Sequence, residues 1–165
     1  DEFDGEIIQT FDYNHYAWHL GIGDTPMHRN SIGIELCNLT RLDNNKGKYS
    51  MWAGKSVNAS EVVDMKVNIR GYRYYHRITD AQLTSLSYLL EKISKDTNID
   101  IRTGLRQRII KLGKIKAFDY DVNIHAGKEY GIFTHTNVSP KNKWGTYSKW
   151  DLHPQDELCD MILSL

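Results

Sequence analysis

The sequence predicts an α/β fold in which a mixed central sheet is flanked by helices. Three observations favour this class: short apolar or alternating runs typical of strands, two amphipathic helical patterns, and the interleaved order of the two kinds of element. The 165 residues are 40% hydrophobic and 25% charged, which is enough apolar material for one core. We therefore expect residues 1–165 to form a single domain.

Two short strands are predicted near the ends of the chain. Asp4-Gly5 is a turn signal, and the following residues 6–11 read as a strand. Residues 131–134 form another short apolar run that leads into His135. Both segments are expected to join the central sheet.

A third strand is predicted at residues 32–37, where apolar and other side chains alternate strictly. Ile34 and Leu36 are expected to enter the core, and Glu35 is expected to point the other way. Gly33 lies on the same side as Glu35 and leaves space beside it.

The clearest helix start is at Thr79, which can form a capping box with Gln82. A helix to about Lys95 is predicted, packed on one face of the sheet. Its expected buried stripe is Leu83, Leu86, Leu90 and Ile93.

A second helix is predicted at the end of the sequence, with Pro154 in its first turn. Its expected apolar stripe is Leu158, Met161, Ile162 and Leu165.

Two stretches look like additions to this framework. Residues 41–77 are polar and predict an irregular surface insertion with a turn at 44–47. Residues 100–128 form a variable, locally basic segment. Aromatic residues do not interleave with its charges, so a solvated face is favoured over a polyanion site.

Composition excludes several functions. The 21 basic and 21 acidic residues balance, which argues against a nucleic-acid-binding domain. The apolar runs are far shorter than the ~20 residues that span a bilayer, and no signal peptide is visible. Cys37 and Cys159 lie far apart and predict two buried thiols.

His135 is the central candidate catalytic residue, because it follows a predicted strand and precedes a loop leading to Asp151. Imidazole and carboxylate groups are both zinc ligands. The alternatives are a hydrogen-bonded structural histidine at position 135 and a solvated strand position for Glu35.

Several motifs occur together in a characteristic order. They are Trp18-His19-Leu20-Gly21, Asn30-Ser31-Ile32-Gly33-Ile34-Glu35-Leu36, Thr79-Asp80-Ala81-Gln82, His135-Thr136-Asn137-Val138-Ser139-Pro140 and Lys149-Trp150-Asp151. This set resembles the zinc-dependent N-acetylmuramoyl-L-alanine amidase family, which includes amidase-type phage lysozymes and peptidoglycan recognition proteins.

The resemblance implies zinc as cofactor and a set of catalytic roles. His135 and Asp151 match zinc ligands, and Lys149 matches the lysine that stabilises the oxyanion. Glu35 matches an acidic residue that serves some members as general base. The implied substrate-binding residues are Trp18, His19, Asn30 and Asn137.

Two departures from the family pattern affect this assignment. The loop at residues 141–148 is longer than usual, which makes Lys141 and Lys143 competitors for the cationic role of Lys149. The family's first zinc ligand is a histidine on an upstream strand, which the resemblance does not locate in this sequence. The third ligand is therefore expected from a companion chain or an upstream segment.

The resemblance implies hydrolysis of the amide between N-acetylmuramic acid and L-alanine in peptidoglycan. It implies a lytic enzyme acting on the bacterial wall, either as a phage endolysin or virion protein or as a secreted or periplasmic protein. The alternative is a non-catalytic peptidoglycan-binding module of the same fold. No nucleic-acid or membrane partner is expected.

Overall fold

The computed structural model describes residues 3–23 and 25–165, and within them one sheet lies beside several helices. The strands are β1 (Arg41–Asn45), β2 (Lys48–Ser50), β3 (Ser56–Val57), β4 (Val62–Ile69) and β5 (Tyr72–His76). The helices are α1 (Thr25–Arg29), α2 (Asp80–Thr97), α3 (Leu105–Leu112), α4 (Val122–His125), α5 (His135–Val138) and α6 (Asp156–Ser164). The predicted α/β class is confirmed.

The sheet lies in the segment that was expected to be irregular. Its order is β3-β2-β1-β5-β4, and every pairing is antiparallel. Two hairpin turns fix the register, because Lys46-Gly47 and Arg70-Gly71 both take the positive φ angles that two-residue turns require. The predicted turn at 44–47 is confirmed, but the expectation of an irregular segment 41–77 is wrong. Most side chains of these strands are exposed or only partly buried, and they lack the strict alternation by which a strand is recognised in a sequence.

The three predicted strands are wrong. In the described part of the chain, residues 6–11 and 32–37 form no ladder, and residues 131–134 contribute a single bridge from Ile132 to Gly104. Alternation supplies a suitable face, but a strand also needs a partner in register. At Cys37 the backbone carbonyl instead accepts a hydrogen bond from the Gln82 side chain of α2 at 2.8 Å.

The side chains of segment 32–37 follow the expected alternation only in part. Leu36 packs against the core, as predicted, but Ile34 is exposed. Gly33 approaches His19 so closely that a Cβ would lie 2.8 Å from the imidazole Cγ. The space beside Glu35 is therefore occupied by His19.

Helix α2 begins as predicted. The Thr79 hydroxyl accepts from the Gln82 amide, and the Gln82 side chain accepts from the Thr79 amide, which completes the capping box. Its four predicted stripe residues are all buried. The helix packs against α6, which also packs against α3, and the three helices form the main core. The prediction that it packs on a sheet face is wrong.

Helix α6 supplies the other side of this core. Leu158 and Ile162 are buried, and Met161 and Leu165 are partly buried against them, which confirms the stripe. Pro154 lies before the helix, whose N-cap is Gln155, so its predicted place in the first turn is wrong. The Gln155 side chain bonds both the amide and the carbonyl of Ile78 at 2.8 and 3.0 Å and joins α6 to the start of α2.

The two thiols differ. Cys159 is buried, and this burial raises the pKa of its thiol to about 12. Cys37 is exposed, which corrects the expectation that both are buried.

Among the described helices, none combines the length and apolarity needed to cross a bilayer. The single domain and the variable segment 100–128 stay predictions.

Candidate active site

His135 and Asp151 form the centre of the site. His135 is the first residue of α5, after the N-cap Thr134, and does not end a strand as predicted. Its Nδ1 lies 2.9 Å from a carboxylate oxygen of Asp151, and its Nε2 lies 2.7 Å from the carbonyl oxygen of Leu20. Both partners are acceptors, so satisfying both contacts requires an N–H on each ring nitrogen.

Asp151 responds to this environment. The hydrogen bond from His135 holds the pKa of the carboxyl below its usual range, and the charges of Lys149 and Arg41 act in the same direction. Desolvation opposes this shift with an effect smaller than that of the hydrogen bond but larger than that of either charge. The carboxylate is therefore ionised at neutral pH, as a metal ligand must be.

The Lys149 side chain borders the same glycine, Gly21, as the His135 ring. Gly21, in the left-handed region with φ 66°, allows this approach. A Cβ on Gly21 would lie 3.4 Å from His135 Nε2 and 3.6 Å from Lys149 Nζ. The two competing lysines point elsewhere, since Lys141 Nζ lies 4.8 Å from the centre of the Tyr147 ring and Lys143 Nζ 4.8 Å from that of Trp144.

The predicted cleft residues Trp18 and His19 form a second cluster, linked to the first through the adjacent Leu20. The Trp18 ring packs on His28 with centroids 4.3 Å apart. The His19 amide donates to His28 Nδ1 at 3.1 Å, and His19 Nε2 lies 2.9 Å from the Ser31 hydroxyl. Buried His28 organises this cluster, and only its residue type pointed to it in the sequence.

Three predicted site residues lie apart from this centre. Glu35 is exposed, and within the described residues it forms no ion pair with the His135 cluster. Asn30 is exposed, and its backbone amide donates to the carbonyls of Pro26 and Met27 in helix α1. Asn137 is fully buried and offers no surface to a substrate in this structure.

The reason is that both amide atoms of Asn137 are used internally. Its nitrogen donates to the carbonyls of Ala117 and Asp119 at 2.9 and 2.8 Å. Its oxygen accepts from the amide and hydroxyl of Thr134 at 3.0 and 2.9 Å. Asn137 thereby fixes the turn that presents His135.

Two arginines from the sheet were missed by the sequence analysis. The Arg41 guanidinium lies 3.7 Å from the centre of the Trp150 ring and 4.9 Å from that of Tyr72. Arg70 is buried and donates hydrogen bonds to the carbonyls of Thr136 and Lys149. Both come from the segment that looked like a surface insertion, so no sequence signal pointed to them.

The donor chemistry at the centre fits a zinc ion. An imidazole nitrogen and an ionised carboxylate, already 2.9 Å apart, are the ligand types that zinc prefers. No cluster of three or more His, Cys, Asp or Glu groups is found in residues 3–23 and 25–165. The described residues thus offer one pair of candidate ligands.

A comparison with known families gives one match. The sequence model of the family described as N-acetylmuramoyl-L-alanine amidase matches residues 2–146. Comparison with curated proteins and with solved structures gives no match. The matched span contains Glu35 and His135. Lys149 and Asp151 follow it in sequence, and Asp151 contacts His135 while Lys149 borders Gly21 together with His135. Because the match covers most of the sequence, the chain belongs to the N-acetylmuramoyl-L-alanine amidase family, which hydrolyses an amide bond in peptidoglycan.

Proposed function

We propose that this amidase is zinc-dependent, with His135 and Asp151 as zinc ligands and Lys149 as the cation that stabilises the oxyanion. The amide cleaved joins the lactyl group of N-acetylmuramic acid to L-alanine. The observation that carries the proposal is the 2.9 Å contact of His135 with an ionised Asp151, with Lys149 beside the same imidazole.

Bound zinc would lower the pKa of a water ligand toward ~7 and polarise the scissile carbonyl. His135 must release one of its two hydrogen bonds to offer a nitrogen lone pair, so the Leu20 carbonyl or the Asp151 contact gives way. Lys149 supplies positive charge where the tetrahedral oxyanion develops.

Glu35 is proposed as the general base that takes a proton from the attacking water and passes it to the leaving amine. Its support is the family match across its segment and its exposed position, which leaves the carboxylate free to approach substrate. Trp18, His19 and Asn30 are proposed to line the substrate cleft.

A third zinc ligand is proposed to come from an upstream segment or a companion chain. Zinc in hydrolytic sites commonly takes three protein ligands and a water, and His135 with Asp151 provides two. The same proposal places the enzyme at the bacterial wall, as a phage lysis or virion protein or as a secreted or periplasmic protein.

The test combines zinc binding with hydrolysis. Calorimetric titration with zinc is followed by incubation with a soluble muropeptide, and mass spectrometry detects the released peptide bearing an N-terminal L-alanine. We expect His135→Ala and Asp151→Asn to abolish both zinc binding and hydrolysis. His15→Ala is the matched control because His15 is exposed and lies outside the site.

Three outcomes would count against the proposal. Hydrolysis that survives exhaustive chelation would refute zinc dependence. Muropeptide binding without hydrolysis, with zinc and an upstream segment present, would favour the non-catalytic module. Tight stoichiometric zinc in the His135→Ala variant would move the site to another histidine, with His19, His125 and His153 as candidates.

A further inference from the structure

Arg70 occupies an unusual place in the sheet. It forms the turn between β4 and β5 together with Gly71, and its φ of 52° lies in the left-handed region that residues other than glycine seldom adopt. Its side chain is 9% exposed. A long charged side chain is thus turned inward at a hairpin tip, where solvent would ordinarily hold it.

The guanidinium group joins the two segments that carry the proposed site residues. Nη2 donates to the Thr136 carbonyl at 2.5 Å, and Thr136 follows His135 directly. Nη1 donates to the Lys149 carbonyl at 3.1 Å, two residues before Asp151. One side chain therefore bridges the backbones on both sides of the His135–Asp151 contact.

The surroundings hold this bridge in place. The Tyr147 ring centre lies 4.6 Å from the guanidinium carbon. The Trp150 indole donates to the Arg70 carbonyl at 3.0 Å, so the turn and the segment 147–151 are connected in both directions. Burial lowers the pKa of Arg70, but a guanidinium remains charged in proteins.

Burying the Arg70 guanidinium costs desolvation free energy, which a residue needed only for stability would avoid. Arg70 forms no ion pair with a carboxylate in the described part of the chain, although its charge is largely removed from water. Its two charge-assisted hydrogen bonds go to backbone carbonyls, which fixes the positions of those carbonyls relative to each other. These two hydrogen bonds therefore fix the spacing between the segments at Thr136 and Lys149.

We propose that Arg70 is a positioning residue that sets the separation of His135 and Asp151 and the direction of Lys149 by holding the Thr136 and Lys149 carbonyls. The inference rests on the proposed function for its catalytic consequence. Arg70 itself does not touch the reacting atoms. Residues that orient metal ligands commonly contribute ten- to hundredfold to metal affinity or activity.

The test compares Arg70→Lys and Arg70→Gln with a matched control. Lysine keeps the charge but cannot donate in two fixed directions, and glutamine removes the charge. Arg73→Gln is the control, because exposed Arg73 lies on β5 and donates to Asp64 on β4 at 2.7 Å. Trp150→Phe removes the hydrogen bond to the Arg70 carbonyl, keeps an aromatic ring beside Arg41, and serves if the Arg70 variants do not fold.

The measurements are amide hydrogen exchange, zinc titration and steady-state kinetics. We expect both Arg70 variants to lose protection in residues 134–138 and 147–151, with α2 unchanged. Zinc affinity and kcat should fall about ten- to hundredfold, with a smaller change in KM. Trp150→Phe should show the same pattern more weakly, and Arg73→Gln should not show it.

Hydrogen exchange separates this inference from the proposed function. If the unsubstituted protein neither binds zinc nor hydrolyses muropeptide when an upstream segment is present, the proposed function fails. Selective loss of protection in the two segments would still support Arg70 as the residue that holds them together. Unchanged protection in folded Arg70→Lys, or a loss spread equally over α2, would overturn the inference.

Discussion

The helical core and the candidate site are stabilised in different ways. The core joins α2, α3 and α6 through apolar side chains such as Leu90 and Leu158, whose burial is non-directional. The site is held by directed polar contacts between distant parts of the chain, including Leu20 with His135 and Arg70 with Lys149. Substitutions in the core should therefore reduce stability, and substitutions in the site should reduce activity.

The largest expected effect tests the core. Leu90→Ala should lower the free energy of unfolding by about 2–5 kcal/mol, because it leaves a cavity in a close-packed cluster. Tyr88→Ala on the exposed side of the same helix should change it by less than about 1 kcal/mol. Urea unfolding followed by circular dichroism measures both. Equal losses would mean that α2 does not bury the face described.

Lys149→Met tests the site. We expect kcat for muropeptide hydrolysis to fall about 10²- to 10³-fold, because the oxyanion loses its cation, with little change in unfolding midpoint. Lys143→Met is the control, since that ammonium lies over Trp144 and away from His135. If Lys143→Met loses activity and Lys149→Met does not, the cationic role belongs to the loop lysine.

The free energy of unfolding should depend on pH through His153, which lies between Asp151 of the site and helix α6. His153 is buried and stacks on Tyr75, and burial lowers its pKa to about 3. An unfolded histidine titrates near pH ~6.5, so the unfolded state binds more protons between these values and stability falls as pH decreases. Stability is complete above pH ~6.5, and we expect a loss of about 2 kcal/mol between pH 7 and pH 5.

The pH effect has its own control. His153→Gln removes the titrating group, so its unfolding free energy should lose most of this pH dependence while remaining lower at pH 7. Urea midpoints at pH 7, 6 and 5 for both proteins measure it. An identical slope in the variant would assign the effect to other groups.

The smallest expected effect concerns the start of α2. Thr79→Ala removes the side-chain acceptor for the Gln82 amide and should cost about 1 kcal/mol of stability. Thr84→Ala, at an exposed position in the same helix, should be neutral or slightly stabilising because alanine favours the helix. A calorimetric comparison of melting temperatures distinguishes them. A reversed order would contradict the role of the cap.

The sequence was most informative where residues a few positions apart carry the whole signal. The capping box at Thr79, the buried stripe of α2 and the turn at 44–47 depend on residues at most a few positions apart. The motifs around His135 and Lys149 likewise identified the residues that the structure brings together, and their order along the chain indicated the family.

Only the tertiary structure decided which segments pair as strands. Residues 32–37 alternate well, but Cys37 bonds a helix side chain. Residues 62–69 alternate poorly, yet they pair with 72–76 because a tight turn joins the two segments. A strand is a property of two segments, and a local pattern describes one.

The sequence by itself determined the α/β class, helices α2 and α6, the family, and the candidate residues His135 and Lys149. The tertiary structure decided that Asn137 is a buried brace and that Arg70 joins the site. Hydrogen bonds between residues 79 or 115 positions apart leave no local periodicity, because their geometry depends on how the packed elements meet.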